Sequence, residues 1–148
     1  MIAVLDTNVL ASGTVTAITT PGQILDYWHL GKFNLAISEH IIYELKQIIY
    51  ELKQTFTKPY FQKHVSSVRV ANFIDLLQNE ALIIPITVKV QGVATHPEDD
   101  LVLAAALSAK ADYLVTGDGP LLRKVGSTYQ GVKLVTPNEF LEILQKQS

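Results

Sequence analysis

Apolar and polar residues alternate along this chain in blocks that suit strands and helices in turn. Ile2-Ala-Val-Leu5 is a short apolar run that stops at Asp6-Thr7-Asn8. It reads as a buried strand carrying an acid at its carboxyl end. Residues 12–20 are small and polar and predict a loop. Pro21-Gly22 opens a helix with Ile24, Leu25, Trp28 and Leu30 on its apolar side, and Gly31 stops it. Phe33–Ile37 predicts a second strand, and Ser38 an N-cap for the helix that follows. After a break at Lys58-Pro59-Tyr60, residues 61–80 carry Val65, Val68, Phe73, Ile74 and Leu77 at helical spacing. Leu82–Ile84 is a short strand, and residues 92–97 a loop. Asp99-Asp100 then open an apolar helix through Leu107. Asp112–Thr116 is a strand closed by Gly117-Asp118-Gly119, and Leu121–Lys124 is one helical turn. Val132–Val135 is the last strand, and Pro137 starts the last helix with Glu139 in its first turn. Strands alternating with helices imply an α/β fold, a parallel sheet with helices on both faces.

One stretch departs from ordinary patterning. Residues 41–47 read IIYELKQ, and residues 48–54 repeat them identically. Two copies are too few for a coiled coil, which has no need of identical residues. An in-frame duplication inside a helix fits better. Seven residues turn about 700°, roughly 20° short of two turns, so both copies point the same way. The second lies about 10 Å farther along the axis.

Composition narrows the field. The chain has 148 residues, 48% hydrophobic and 18% charged, which suits one domain over 1–148 and excludes disorder. No run approaches the roughly 20 apolar residues of a membrane helix. The first residues lack a basic segment and meet Asp6 too early for a secretory signal. With no cysteine there is no disulfide, thiolate metal site or cysteine nucleophile. A cytoplasmic location is expected. The net charge of −2 argues against non-specific coating of DNA, which needs a basic imbalance.

The acids carry the candidate chemistry. Asp6 ends the first strand, Glu44 lies in the helix after the second, Asp99 and Asp100 open a helix, and Asp118 follows a strand. Strand carboxyl ends of an open parallel sheet share one edge, and ligands bind there. Carboxylates gathered at one place repel each other unless cations neutralise them, and hard divalent cations prefer oxygen ligands. Such a site suits phosphodiester hydrolysis. Taken singly, Asp99 and Asp100 also read as helix caps, Asp118 as a turn residue and Glu44 as an exposed helix residue. Asp6 fits such a reading least, because an acid after a buried strand is costly without a partner. No nucleotide-binding glycine motif is present, and His29, His40, His64 and His96 lack metal-ligand spacing and read as surface or loop residues.

Leu5-Asp-Thr-Asn-Val-Leu10, Ser38 with Glu44, Pro97-Glu-Asp-Asp-Leu-Val-Leu-Ala-Ala-Ala106 and Ala111-Asp-Tyr-Leu-Val-Thr-Gly-Asp118 together resemble the PIN domain. Within that family the chain is most similar to VapC-like toxins of type II toxin–antitoxin systems. The resemblance implies a three-layer α/β/α fold with a central, mostly parallel sheet. It also implies an Mg²⁺- or Mn²⁺-dependent endoribonuclease, with RNA as substrate, a cognate antitoxin as partner and a homodimer as assembly. By the same resemblance Asp6, Glu44, Asp100 and Asp118 are the catalytic and metal-binding acids, with Asp99 auxiliary. Asn8 and Thr116 are supporting hydrogen-bond groups, and Ser12 a weaker phosphate contact.

Two departures stand out. Pro120 occupies a position where the family often has a further Asp. The duplication offers both Glu44, counted from Ser38, and Glu51, counted back from Pro59-Tyr60-Phe61, for the helix acid. Glu44 is preferred, because the strand–helix junction fixes its distance from the sheet edge. Lys32, Arg123 and Lys124 are candidate phosphate contacts. The rival expectations are a binding module of the same family impaired by the duplication and Pro120, and a small-molecule phosphatase. With four acids assigned to a site, ten acids remain against twelve bases, so the acid excess would belong to the site itself.

Overall fold

The computed structural model describes residues 1–55 and 67–147. In chain order the strands are β1 (Ile2–Leu5), β2 (Asn34–Ile37), β3 (Leu82–Ile83), β4 (Tyr113–Val115), β5 (Thr128–Tyr129) and β6 (Val132–Val135). The helices are α1 (Thr7–Val15), α2 (Thr20–His29), α3 (Glu39–Thr55), α4 (Ser67–Glu80), α5 (Pro97–Ser108), α6 (Gly119–Val125) and α7 (Pro137–Lys146). The expected break at Lys58-Pro59-Tyr60, the first part of the 61–80 helix, Val65 and His64 lie outside the described residues.

The six strands form one sheet in the order β3-β2-β1-β4-β6-β5. All pairs are parallel except β5 with β6. Sequence order runs outward from β1 to β3, then returns past β1 to β4 and β6. Right-handed crossovers therefore put α1–α4 on one face and α5 and α6 on the other. The result is the expected three-layer α/β/α fold. The strand order reverses between β1 and β4, so a crevice opens at the carboxyl end of that pair.

The register explains where polarity begins. Ala36, Val4, Leu114 and Leu134 form one row across the sheet, and Val115 pairs with both Leu5 and Val135 in the next. These residues are all buried. One step farther, the strands end on Ser38, Asp6, Thr116 and Thr136. Three of these start helices. Ser38 Oγ accepts from Ile41 N at 3.1 Å, Asp6 Oδ1 from Thr7 N at 2.7 Å, and Thr136 Oγ1 from Glu139 N at 3.2 Å. Glu139 returns the last bond to Thr136 N at 2.9 Å, closing a capping box.

Several expectations are corrected. The loop expected over 12–20 is helix as far as Val15, because α1 starts at the Asp6 cap and buries Val9, Leu10, Ala11, Gly13 and Thr14. Leu30 is 69% exposed, since α2 ends at His29 and Leu30 is already its C-cap. Val68 is exposed too; Val70, Phe73 and Leu77 form the inner face of α4. The turn at 121–124 is a longer helix, begun at Gly119 by an Asp118 cap. The short antiparallel β5 had no counterpart in the sequence reading. Through the duplicated segment α3 is one continuous helix, with Ile41, Leu45 and Ile49 as its buried stripe.

Helices α1 and α2 touch through glycine. A Cβ on Gly13 would stand 2.7 Å from Pro21 O, and one on Gly22 would stand 2.3 Å from Thr16 O. Arg69 of α4 locks this joint. Its guanidinium donates to Gly13 O at 2.9 and 3.1 Å, to Gly22 O at 3.3 Å and to Asp26 Oδ1 at 3.1 Å. It also lies 4.3 Å over the Phe73 ring. Replacing Gly22 by Ala forces backbone against backbone and is expected to destabilise the fold by about 1–3 kcal/mol. A lower urea midpoint with an unchanged slope would bear this out.

Candidate active site

The cluster is built on β1 and β4. Asp6 N donates to Val115 O at 2.9 Å, extending the ladder by one residue and fixing the Asp6 backbone at the crevice. Asp6 is only 8% exposed. One carboxylate oxygen caps α1; the other accepts from Thr116 Oγ1 at 2.8 Å. That same hydroxyl oxygen accepts from Asp118 N at 3.1 Å, so buried Thr116 ties the two acids together. Asp118 Oδ1 caps α6, accepting from Leu121 N at 3.2 Å. Pro120 falls in the first turn of that helix, where its missing N–H costs nothing.

Glu44 approaches from α3. Its Oε2 accepts from Thr7 Oγ1 at 3.0 Å, and its Oε1 lies 2.6 Å from His40 Nε2, one helical turn earlier. Glu51, 10 Å or so along the axis, is exposed. The duplication therefore supplies two similarly directed glutamates, of which Glu44 reaches the β1 end. Thr7 and His40 were not singled out from the sequence. Thr7 stands in the Asp-Thr-Asn triplet, whose second residue carries a free hydroxyl at the start of a helix. His40 lies four residues before Glu44, the spacing of helical neighbours.

The two acids at the start of α5 have different surroundings. Asp100, given the principal role from the sequence, is buried against the preceding loop. Its Oδ1 accepts from Ala94 N at 2.7 Å and its Oδ2 from Gly92 N at 3.0 Å. Lys124 Nζ holds the same loop through Ala94 O at 3.2 Å. Asp99, given the auxiliary role, is the one whose charge couples to Asp6 and Asp118. Neighbours on a helix point about 100° apart, so only one of the two can face the crevice.

Charge crowding is visible in the acids. Burial pushes the Asp6 carboxyl above its ordinary value, against the pull of the Thr116 and Thr7 hydrogen bonds, and the charges of Asp118 and Glu44 add to the rise. Asp99 is raised by burial, then by Asp6 and Asp118, with His96 opposing. A recess of about 350 Å³ beside them is lined by Asp6, Asn8, Val9, Gly117 and Asp118, among others. Asn8 is exposed on this recess, and Ser12 is half-buried farther along α1. Lys32 precedes β2 and so stands at the opposite edge of the sheet.

These acids are hard oxygen donors, which fit a divalent cation in chemistry. Among the described residues, no group of three His, Asp or Glu side chains already stands in place to hold one. Asp100 is occupied by amides, one oxygen of Glu44 by Thr7, and one oxygen of Asp118 by its cap.

The raised Asp6 pKa has a consequence for stability. The folded chain binds that proton more tightly than the unfolded chain, so ionised Asp6 costs stability at neutral pH. The cost fades as pH falls through the raised pKa. Asn would keep the cap and lose the charge. In EDTA at pH 7, D6N is expected to melt a few degrees above wild type, with the gap closing as pH falls; calorimetry would check both.

The PIN domain family model matches residues 3–119, which takes in every acid of the cluster. A search of the curated proteins found no match. PIN domains are in general metal-dependent nucleases. From β1 through the start of α6, the chain belongs to the PIN domain family.

Proposed function

We propose that this chain is a single-domain Mg²⁺- or Mn²⁺-dependent endoribonuclease, the toxin of a toxin–antitoxin pair, acting in the cytoplasm. What supports the reading is that Asp6 and Asp118 border one recess and are tied through Thr116, and that the charges of Glu44 and Asp118 act on Asp6 and those of Asp6 and Asp118 on Asp99. Single-stranded RNA suits an open edge, because unpaired bases are accessible to side chains. A cognate antitoxin and a second copy of the chain are the partners proposed with this role.

Asp6, Asp99 and Asp118 would hold the cation, which when bound supplies positive charge for the phosphate and acidifies water for in-line attack. Glu44, which accepts from Thr7 and lies beside His40, would orient that water. Thr116 fixes the direction of Asp6 and the backbone of Asp118. Asp100 is read as a positioning residue that clamps the 92–94 loop and so sets the direction of Asp99. A second reading, the impaired binding module, is favoured by the lack of a ready three-residue cation group among the described residues.

Cation binding separates the two readings. Mn²⁺ at a hundred times its Kd adds about 2.7 kcal/mol, or roughly 5–10 °C in melting temperature. The nuclease reading expects that rise in wild type and its loss in D99N. D100N is expected to melt lower without cation yet keep the rise. No rise in wild type favours the impaired module, and a rise lost in D100N but kept in D99N would restore the principal role to Asp100.

The two glutamates are told apart by cleavage. E44Q is expected to lower Mn²⁺-dependent RNA cleavage about 100-fold, the scale of losses around metal sites. E51Q is expected to change it less than about two-fold, as for an exposed residue outside the site. The converse pattern in a fluorescent-oligonucleotide assay would assign the role to Glu51.

A further inference from the structure

A second recess, about 340 Å³, opens at the carboxyl ends of β2 and β3, on the same sheet edge as the acids. Its walls include Ile83, Ile84, Pro85 and Ile86, with Glu39 and His40 as polar groups. The other polar groups there already have partners. Ser38 Oγ caps α3, and Ile84 N donates to Ile37 O at 2.9 Å. Ile83 and Ile86 are 45% and 37% exposed, so apolar surface is left uncovered on an edge strand and just past it. His40 belongs to both places, because it borders this recess while its Nε2 lies 2.6 Å from Glu44 Oε1. Whatever fills the recess sits one side chain from the acid cluster.

We infer that this recess is a nucleobase slot for single-stranded RNA, holding a base next to the phosphate that is cut. The inference rests on the nuclease reading and adds a specificity element to it. The wall chemistry selects the occupant. No Lys or Arg lines the recess among the described residues, and Glu39 repels anions, so a phosphate is disfavoured. A flat, neutral base suits apolar walls with an imidazole at one side, the way unstacked bases are commonly held. The Glu39 carboxylate accepts hydrogen bonds and donates none, so it favours bases that present an amino group, as a carboxylate does with cytosine N4. Uracil has no amino group, and its one Watson–Crick donor, N3–H, stands between two carbonyl oxygens that the carboxylate repels. The slot therefore prefers cytosine to uracil.

The test compares RNA oligonucleotides differing at one base with bis(p-nitrophenyl) phosphate, a diester that has no base to bind. I86W fills the slot, and E39Q replaces the acceptor with a group that also donates. The ratio of RNA cleavage to dye-diester hydrolysis is expected to fall about ten-fold in I86W, the scale of losing one stacked base. In E39Q the cytosine-over-uracil preference in kcat/KM is expected to level or reverse. Should I86W fail to fold, as its melting curve would show, E39Q alone carries the test. Wild type that cleaves both substrates, with ratio and base preference unmoved by the substitutions, overturns the slot and leaves the nuclease. Wild type that cleaves neither overturns the nuclease reading and the slot with it.

Discussion

The pairing of β1 with β4 is the constraint on which the rest depends. It is the point where strand order reverses, and the last ladder bond across it is made by Asp6 itself. Within one residue the chain passes from the fully buried Leu5 to a carboxylate that must satisfy a helix, a neighbouring hydroxyl and its own charge. Thr116 makes this tolerable by giving its proton to Asp6 and its lone pair to the amide of Asp118. Two acids thereby stand just past the ends of adjacent strands, with the side chain of Asp6 and the backbone of Asp118 held by one buried hydroxyl. Helices α1 and α6 both begin at these acids, so the framework and the cluster share atoms.

That sharing bears on stability. Charges gathered in a partly buried crevice work against the folded state, and the rest of the chain must offset them. The offset is visible in the apolar rows of the sheet and in the close α1–α2 contact clasped by Arg69. Active sites are commonly held in this way, by packing away from the chemistry that outweighs strain at it.

Much of the fold was legible because its strands are apolar runs with polar ends. Ile2–Leu5, Val132–Val135 and the run ending at Thr116 announce themselves by composition. Helix α1 does not, since Ser12, Gly13 and Thr14 lack an apolar periodicity and are placed by a glycine contact with α2 that no local pattern encodes. Leu30 and Val68 mislead in the other direction, because an apolar residue at helical spacing need not face the core when the helix has already ended or turned. The places of Asp6 and Asp118 were legible because the sheet aligns strand ends. The direction of each was not. Asp99 and Asp100 share one local sequence context, and the choice between them is made by the amides of Gly92 and Ala94, brought there by tertiary structure. His40 and Thr7 likewise gain meaning only from the approach of α3 to β1.

The clamp formed by Asp100 turns helix phase into a chemical variable. Two identical side chains in succession, one held by loop amides and one under the charges of Asp6 and Asp118, differ only by the angular step of a single residue. A change of one position in the 92–96 connection would turn α5 by that step, which can bring one aspartate to the other's direction only by carrying its neighbour a further step away. The length of that loop and the direction of Asp99 are thus one variable, because the amides that hold Asp100 also set the phase of the helix that carries both acids.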